Sequence, residues 1–219
     1  LAVDGLNRIP EGVSFAEASV AEPFACVING QELAGVGKGD DVVVVGAGPI
    51  GCLHVRLARA RGAARVLLIE LSRRRLELAA GLVAPDEAIG AEGADTVAAV
   101  RGLTGGRGAD VIIVAAGSGR AQEEALRMAA RRGTVSFFGG LPKDRPTITC
   151  DANIVHYREV GIVGANGSTP AHNQQALELI TSGAVPVADL ITHRLPLERT
   201  VEGIHTVARG EAIKVTVEA

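Results

Sequence analysis

A chain of 219 residues, 47% hydrophobic and 21% charged, is long enough for one large folded domain or one and a half ordinary ones, and too apolar to be disordered. Its net charge of −3, its lack of a basic block beyond Arg73 to Arg75 and an aromatic share of 2% without tryptophan argue against nucleic acid as a partner. No apolar run approaches a membrane span, no signal peptide is visible, and Cys26, Cys52 and Cys150 lack the spacing of a disulfide framework; they read as reduced, buried residues of a cytoplasmic protein. The chain opens at Leu1 and its only methionine is Met128, so a preceding segment is expected.

Leu1 to Val13 reads as a loop, with turn signals at Asp4-Gly5 and Pro10-Glu11-Gly12. Ser14, with Glu17 three residues on, forms a capping box. The helix it opens carries Phe15, Ala18, Ala21, Ala25, Cys26 and Leu33 at helical spacing. Glu22-Pro23 interrupts that apolar face, and a carboxylate there needs a partner. Gly35, Gly37 and Gly39 lead into four valines, Val42 to Val45.

The valines run into Gly46-Ala47-Gly48-Pro49-Ile50-Gly51, then an alanine- and leucine-bearing helix, then the aliphatic run Val66 to Ile69. That run closes on an acid, Glu70, nineteen positions after Gly51. A GxGxxG turn between strand and helix, with an acid after the second strand, is a dinucleotide fingerprint. Gly46 permits the tight turn, Gly48 lets backbone approach a pyrophosphate, and Gly51 lets the helix pack close. Pro49 suits a first helical turn, whose free N–H groups and positive dipole end face the phosphates. Glu70 can accept from both hydroxyls of the adenosine ribose and repels a 2′-phosphate, which favours NAD over NADP. A glycine turn without a ligand is the alternative; strand, helix and acid together favour the ligand.

Beyond Glu70, Ser72 caps a helix through Ala80, Ala88-Ile89 is a short strand, and Asp95 to Leu103 is a helix closed by Gly105-Gly106. Asp110 to Ala115 is a strand apolar on both faces, as in a parallel sheet. It ends at Ala116-Gly117-Ser118-Gly119; a helix from Ala121 to Arg131 and a strand from Thr134 to Phe138, ending at Gly139-Gly140, follow. Val160 to Val163 is a last short strand. The order implies an α/β fold with a doubly wound parallel Rossmann sheet. The tail departs from this rhythm: a helix from Ala171 to Ser182, an extended Leu190 to Leu197, a helix through Ala208, and a half-exposed strand from Ile213 to Val217. It reads as a return into a second domain.

Taken in order, AEPFACVINGQE (Ala21 to Glu32), VVVVGAGPIG (Val42 to Gly51), RVLLIELSRRRLELA (Arg65 to Ala79), GADVIIVAAGS (Gly108 to Ser118), HYREVGIVGANGST (His156 to Thr169), LITHRLPL (Leu190 to Leu197) and GEAIKVTV (Gly210 to Val217) cover nearly the whole chain. This set resembles the C-terminal two thirds of the zinc-dependent medium-chain alcohol dehydrogenases, and most nearly their sorbitol (polyol) and threonine dehydrogenase branch. The resemblance implies residues 1–36 as linker and leading helix, 37–188 as NAD-binding Rossmann domain, and 189–219 as the C-terminal return into the catalytic domain. It implies that Gly46, Gly48, Pro49, Ile50 and Gly51 bind the NAD pyrophosphate and that Glu70 selects NAD. Arg75 matches a position near the adenine. Ala115, Ala116 and Gly117 pass the nicotinamide ribose, and Phe138, Gly139, Gly140, Ala165 and Asn166 border the nicotinamide. Glu22, in the EP motif, matches a carboxylate at the catalytic zinc; an exposed helix acid is the alternative.

There are departures. Val114-Ala115-Ala116-Gly117 lacks the acid and the threonine or cysteine common there, and Val83-Ala84-Pro85-Asp86 stands where Gly-Ala-Asp is usual. The family's N-terminal catalytic domain, with its other zinc ligands, is absent from these residues. The five histidines are scattered, so no zinc site can be read from this chain. His54 reads as a packing or surface residue, His156 and His193 as structural, and Cys52 as packed at the helix start, where a depressed pKa is conceivable. Arg73 to Arg75 read as a solvated helix face, with an NADP phosphate cluster as the alternative. A complete enzyme of this kind uses zinc as a Lewis acid on a small alcohol and passes hydride to the nicotinamide. This chain alone is expected to bind NAD weakly without turnover. The resemblance also implies a homo-oligomer, dimer or tetramer, paired through an edge strand that here falls near Thr147 to Thr149 or Val160 to Val163. A zinc-free quinone reductase, a non-catalytic NAD-binding module and a methyltransferase are the competing readings.

Overall fold

A computed structural model describes residues 6–218. The Asp4-Gly5 turn expected from the sequence lies outside them. Six strands form one parallel sheet: β1 (Asp41–Val45), β2 (Arg65–Glu70), β3 (Glu87–Gly90), β4 (Ala109–Val114), β5 (Ala129–Phe137) and β6 (Gly161–Gly164). Their spatial order is β3-β2-β1-β4-β5-β6. The chain runs outward from β1 in one direction and from β4 in the other, so a crevice opens above the carboxyl ends of that central pair.

Successive strand residues face opposite sides, and the central strands are apolar on both. Val42, Val44, Val66, Leu68, Val111 and Ile113 belong to one core with α2 (Ala21–Ala34), α3 (Pro49–Ala60), α4 (Arg73–Val83) and α8 (Pro170–Thr181). Val43, Val45, Leu67, Ile69, Ile112 and Val114 belong to the other, with α5 (Thr96–Leu103) and α6 (Gly119–Met128). The doubly wound parallel sheet read from the sequence is the fold observed.

Several elements differ from expectation. The single helix opened by Ser14 is two, α1 (Phe15–Ala18) and α2. The capping box is present, but the Ser19 hydroxyl donates to the Ala16 carbonyl at 2.6 Å and competes with helix continuation. Pro23, without an N–H, sits in the first turn of a new helix instead of inside an old one. Phe15 is consequently 86% exposed and Leu33 half exposed; neither joins an apolar face. The helix expected over Ala121 to Arg131 runs over Gly119–Met128, and Ala129 to Arg131 join β5 through an irregular register with β4. A helix the sequence reading lacked, α7 (Ala152–Arg158), is capped by Asp151, whose carboxylate accepts the Asn153 amide at 2.9 Å. Thr147 to Thr149 lie in no strand; the sheet edges are β3 and β6.

The tail keeps the rhythm it was expected to break. β7 (Ile191–Pro196), α9 (Thr200–Ala208) and β8 (Lys214–Glu218) form a βαβ unit whose parallel strands make a second, two-stranded sheet. Val201 and Ile204 of α9 and Val217 of β8 are exposed. Arg56 of α3 holds the segment leading into β7, through Asp189 Oδ1 and Oδ2 at 2.7 and 2.6 Å and through the Pro186 carbonyl. Of the three cysteines only Cys52 is buried; Cys26 is half-buried and Cys150 exposed, against the expectation that all three are interior.

Candidate functional site

The turn after β1 is shaped by backbone and steric demands. Gly46 adopts φ 109°, a left-handed conformation that favours glycine, and its N–H donates to the Ile69 carbonyl at 2.7 Å. A Cβ on Gly51 would overlap the Gly46 carbonyl oxygen, so α3 packs directly onto the turn. Gly48 is different. Its φ of −75° suits any residue, and a Cβ there would meet no described atom within 4 Å. What its missing side chain leaves is open space above the turn. Pro49 is the first residue of α3, and the first in-helix bond falls at Cys52 N to Gly48 O, 3.0 Å. The amides of Ile50 and Gly51 therefore have no acceptor within the helix.

Glu70 ends β2 with only 8% of its surface exposed. Its Oε2 accepts the Ala47 amide at 2.8 Å and its Oε1 accepts the Ser72 amide at 2.9 Å, while Arg75 Nη1 stands 3.7 Å away. The acid expected to meet a ribose thus also ties the glycine turn to the start of α4. Each carboxylate oxygen keeps further acceptor capacity. Arg73 and Arg74 point away, to Glu77 and Glu211.

A cleft of about 490 Å³ lies over the carboxyl ends of β1, β2 and β4, within the range of small-molecule sites. Of the residues expected from the sequence, Gly46, Gly48, Glu70, Arg75, Ala115, Ala116 and Gly117 line it. Leu71, Ala91, Thr96, Ser118, Arg120 and Glu124 line it too and were not expected. Glu124 accepts from Thr96 Oγ1 at 2.8 Å and from Arg120 Nε at 2.7 Å, closing the side between α5 and α6. Nothing in the spacing of these residues marks them; only the sheet order brings them together. Pro49, Ile50 and Gly51 lie in the first turn of α3 beside the cleft.

Phe138, Gly139, Ala165 and Asn166 lie outside that lining, after β5 and β6. The Gly139 amide donates to the Val114 carbonyl at 2.7 Å, and the nearly buried Gln122 donates through Nε2 to the Gly139 carbonyl at 3.1 Å. A Cβ on Gly139 would stand 2.7 Å from the Ala116 backbone, so the loops after β4 and β5 are in direct contact. Asn166 is exposed, and the neighbouring Gly167 carbonyl accepts from Asn29 Nδ2 at 2.9 Å.

Glu22 is exposed in the first turn of α2, with the Cys26 thiol 3.7 Å from its Oε1. Among the described residues no three His, Cys, Asp or Glu side chains converge on a point where a metal ion would sit. The residues present do not by themselves fit a zinc site. Burial pushes the Cys26 thiol up, and pushes Cys52 up to about 12, the reverse of the depressed value conceivable at a helix start. His54 is fully buried, and burial holds it down to about 3, so it is neutral.

The family model of the zinc-binding dehydrogenases matches residues 49–182, more than half of the chain. The chain belongs to the zinc-binding dehydrogenase family. Within that family it is similar to a sorbitol dehydrogenase of Halalkalibacterium halodurans, 31% identical over 213 residues, which cover 97% of this chain and 61% of the relative. An L-threonine 3-dehydrogenase of Bacillus licheniformis is 33% identical over 209 residues, covering 95% and 59%. Among solved structures, an alcohol dehydrogenase from Thermus sp. ATN1 superposes with a TM-score of 0.88 at 28% identity, over 97% of this chain and 61% of that one. A second, from Sinorhizobium meliloti 1021, provisionally assigned as a zinc-binding dehydrogenase and bound to NADP, gives 0.88 at 29%, over 96% and 61%. This zinc-binding dehydrogenase chain therefore spans about 60% of the length of the relatives it matches. No helix among its described residues is long and apolar enough to cross a membrane.

Proposed function

We propose that this chain is the cofactor-holding part of an NAD-dependent, zinc-assisted dehydrogenase that moves hydride between a polyol or secondary alcohol and nicotinamide. The observation that carries the reading is the pairing of Gly48, open above, with the Glu70 carboxylate in one cleft at the point where the strand order reverses. The amides of Ile50 and Gly51, without acceptors within α3, would hold the pyrophosphate at its amino end. The adenosine ribose meets Glu70 and the adenine lies by Arg75. Ala116 and Gly117 would hold the other half of the cofactor, with Phe138, Gly139, Ala165 and Asn166 beside its nicotinamide. The nicotinamide supplies the hydride-accepting carbon; the residues around it bind it, orient it and exclude water. Glu22 would supply one carboxylate to a zinc ion, which would act as a Lewis acid on the alcohol; the described residues hold no other converging ligands for it.

Titration of the chain with NADH, NADPH and S-adenosylmethionine tests this. The expected order is NADH tighter than NADPH by about tenfold, since a 2′-phosphate beside Glu70 meets like charge. Equal or tighter NADPH binding overturns the cofactor choice. Binding of S-adenosylmethionine alone overturns the whole reading. Zinc-dependent alcohol oxidation by the isolated 219-residue chain would show that it is not merely the cofactor-holding part. Metal analysis of the complete gene product separates this reading from a zinc-free reductase.

The division into residues 1–36, 37–188 and 189–219 belongs to the same proposal, supported by the separate sheet that β7 and β8 make. So does a homo-oligomer: among the described residues β6 is paired on one side only, and Ile162 on it is 42% exposed. Sedimentation of the chain as a monomer at micromolar concentration would overturn this. The free thiols are in keeping with the cytoplasm.

A further inference from the structure

Three consecutive residues of α2 reach the region behind Phe138. Asn29 holds the Gly167 carbonyl of the loop after β6. Gly30 leaves a gap: a Cβ on it would lie 2.7 and 2.8 Å from Cδ2 and Cε2 of Phe138 and 3.6 Å from the Ala165 Cβ. Gln31, fully buried, donates through Nε2 to the His54 carbonyl at 2.8 Å and stands 3.4 Å from His54 Nδ1. The His54 ring lies edge-to-face with Phe138, centroids 4.6 Å apart and planes at 88°. The Phe138 ring thus occupies the space of a missing side chain on one helix and abuts a neutral imidazole from another.

Neither feature favours stability. A glycine inside a helix is worse than alanine. Among the described residues Gln31 Oε1 and His54 Nε2 are buried without a hydrogen-bond partner, which is also unfavourable. An alanine at 30 would remove the first penalty only with the ring elsewhere, and a leucine at 54 would remove the buried imidazole nitrogen together with the ring's edge-to-face partner. The two penalties meet at one ring, at the end of β5 where the proposed cofactor turns toward its reactive half.

We infer that Gly30 and His54 are positioning residues that set the Phe138 ring as the wall against which the nicotinamide half of the cofactor packs. This rests on the function proposed above. The added methyl of Gly30→Ala drives the ring out of its seat; His54→Leu removes its edge-to-face partner while leaving the helix intact.

The test compares NADH with ADP-ribose, which carries the adenosine, pyrophosphate and second ribose but no nicotinamide. Both are titrated against the full chain and each variant, with a urea midpoint confirming folding. Gly30→Ala is expected to weaken NADH about tenfold and ADP-ribose less than twofold, a selective loss of roughly 1.4 kcal/mol. The emission of bound NADH should shift back toward that of the free cofactor. Should Gly30→Ala fail to fold, His54→Leu carries the same comparison, with a loss of threefold or more confined to NADH. Equal losses of both ligands, or no loss of either, overturn the positioning role and leave the cofactor site standing. Failure of the unaltered chain to bind either ligand overturns the cofactor site and this inference with it.

Discussion

Glu70 accepts the backbone amide of Ala47 at 2.8 Å, so the acid at the end of β2 is bonded into the turn it flanks. Its second oxygen does the same for Ser72. The residue that selects the cofactor in the proposed function is therefore also a brace, and the two roles separate on substitution. Glu70→Ala leaves the buried Ala47 amide and the part-buried Ser72 amide without acceptors, and unfolding free energy should fall by about 1–3 kcal/mol in urea titrations. Glu70→Gln keeps one carbonyl acceptor and should fall by less, while NADH affinity drops about tenfold in both. Unchanged stability in Glu70→Ala would show that the brace is not made.

The two glycines at 48 and 51 predict opposite outcomes for the same substitution. Gly51→Ala drives a methyl into the Gly46 carbonyl and should cost about 3 kcal/mol or more, or prevent folding. Gly48→Ala enters open space at an ordinary φ and should leave stability within about 0.5 kcal/mol, yet abolish detectable NADH binding. Denaturation midpoints and NADH titration on the pair decide the matter. Full NADH affinity in Gly48→Ala would remove the pyrophosphate from this turn.

His54 predicts a pH dependence. Burial lowers its pKa from 6.5 to about 3 in the folded chain. Above pH 6.5 it is neutral in both states and its burial carries no penalty from titration. As pH falls below 6.5 the unfolded chain takes up a proton that the folded chain refuses until about pH 3. Stability should therefore decline by about 1.4 kcal/mol per pH unit through that window. Urea midpoints at pH 7, 6 and 5 should show a steeper fall for the unaltered chain than for His54→Leu; parallel slopes would place His54 in contact with water.

The tail is pinned by Arg56, and Asp189 is held below the usual carboxylate range chiefly by its hydrogen bonds to that guanidinium. A lowered carboxylate stabilises above its unfolded pKa, and the stabilisation is lost as pH falls below about 4. Asp189→Asn should speed amide exchange from Pro186 to Pro196 while leaving β1, β2 and β4 unaffected. Uniform acceleration across both sheets would show that the pair supports the whole fold instead of the junction.

The sheet was legible because its strands are buried on both faces, which demands unbroken aliphatic runs such as Val42 to Val45 and Asp110 to Ala115. The turn was legible because Gly46 and Gly51 answer to local geometry. Legibility failed where the deciding contact is distant. Gly30 looked like an unremarkable helix residue, since the ring that fills its gap arrives more than a hundred positions later. Thr96, Arg120 and Glu124 enter the cleft only because β3 and β4 fall on opposite sides of β1 and β2. Phe15 and Leu33 were misplaced because helical spacing was counted across a break set by Ser19 and Pro23.

One unbroken helix, α2, bears the Glu22 carboxylate near its start and the seat of Phe138 at Gly30. Gly30 stands eight positions after Glu22, a rise of about 12 Å. That interval is a count of peptide units, and a count changes only in whole numbers. One residue added between them would lengthen the rod by about 1.5 Å and swing the acid about 100° around its axis. The distance from acid to ring can therefore drift in length nowhere along this stretch without also losing its bearing.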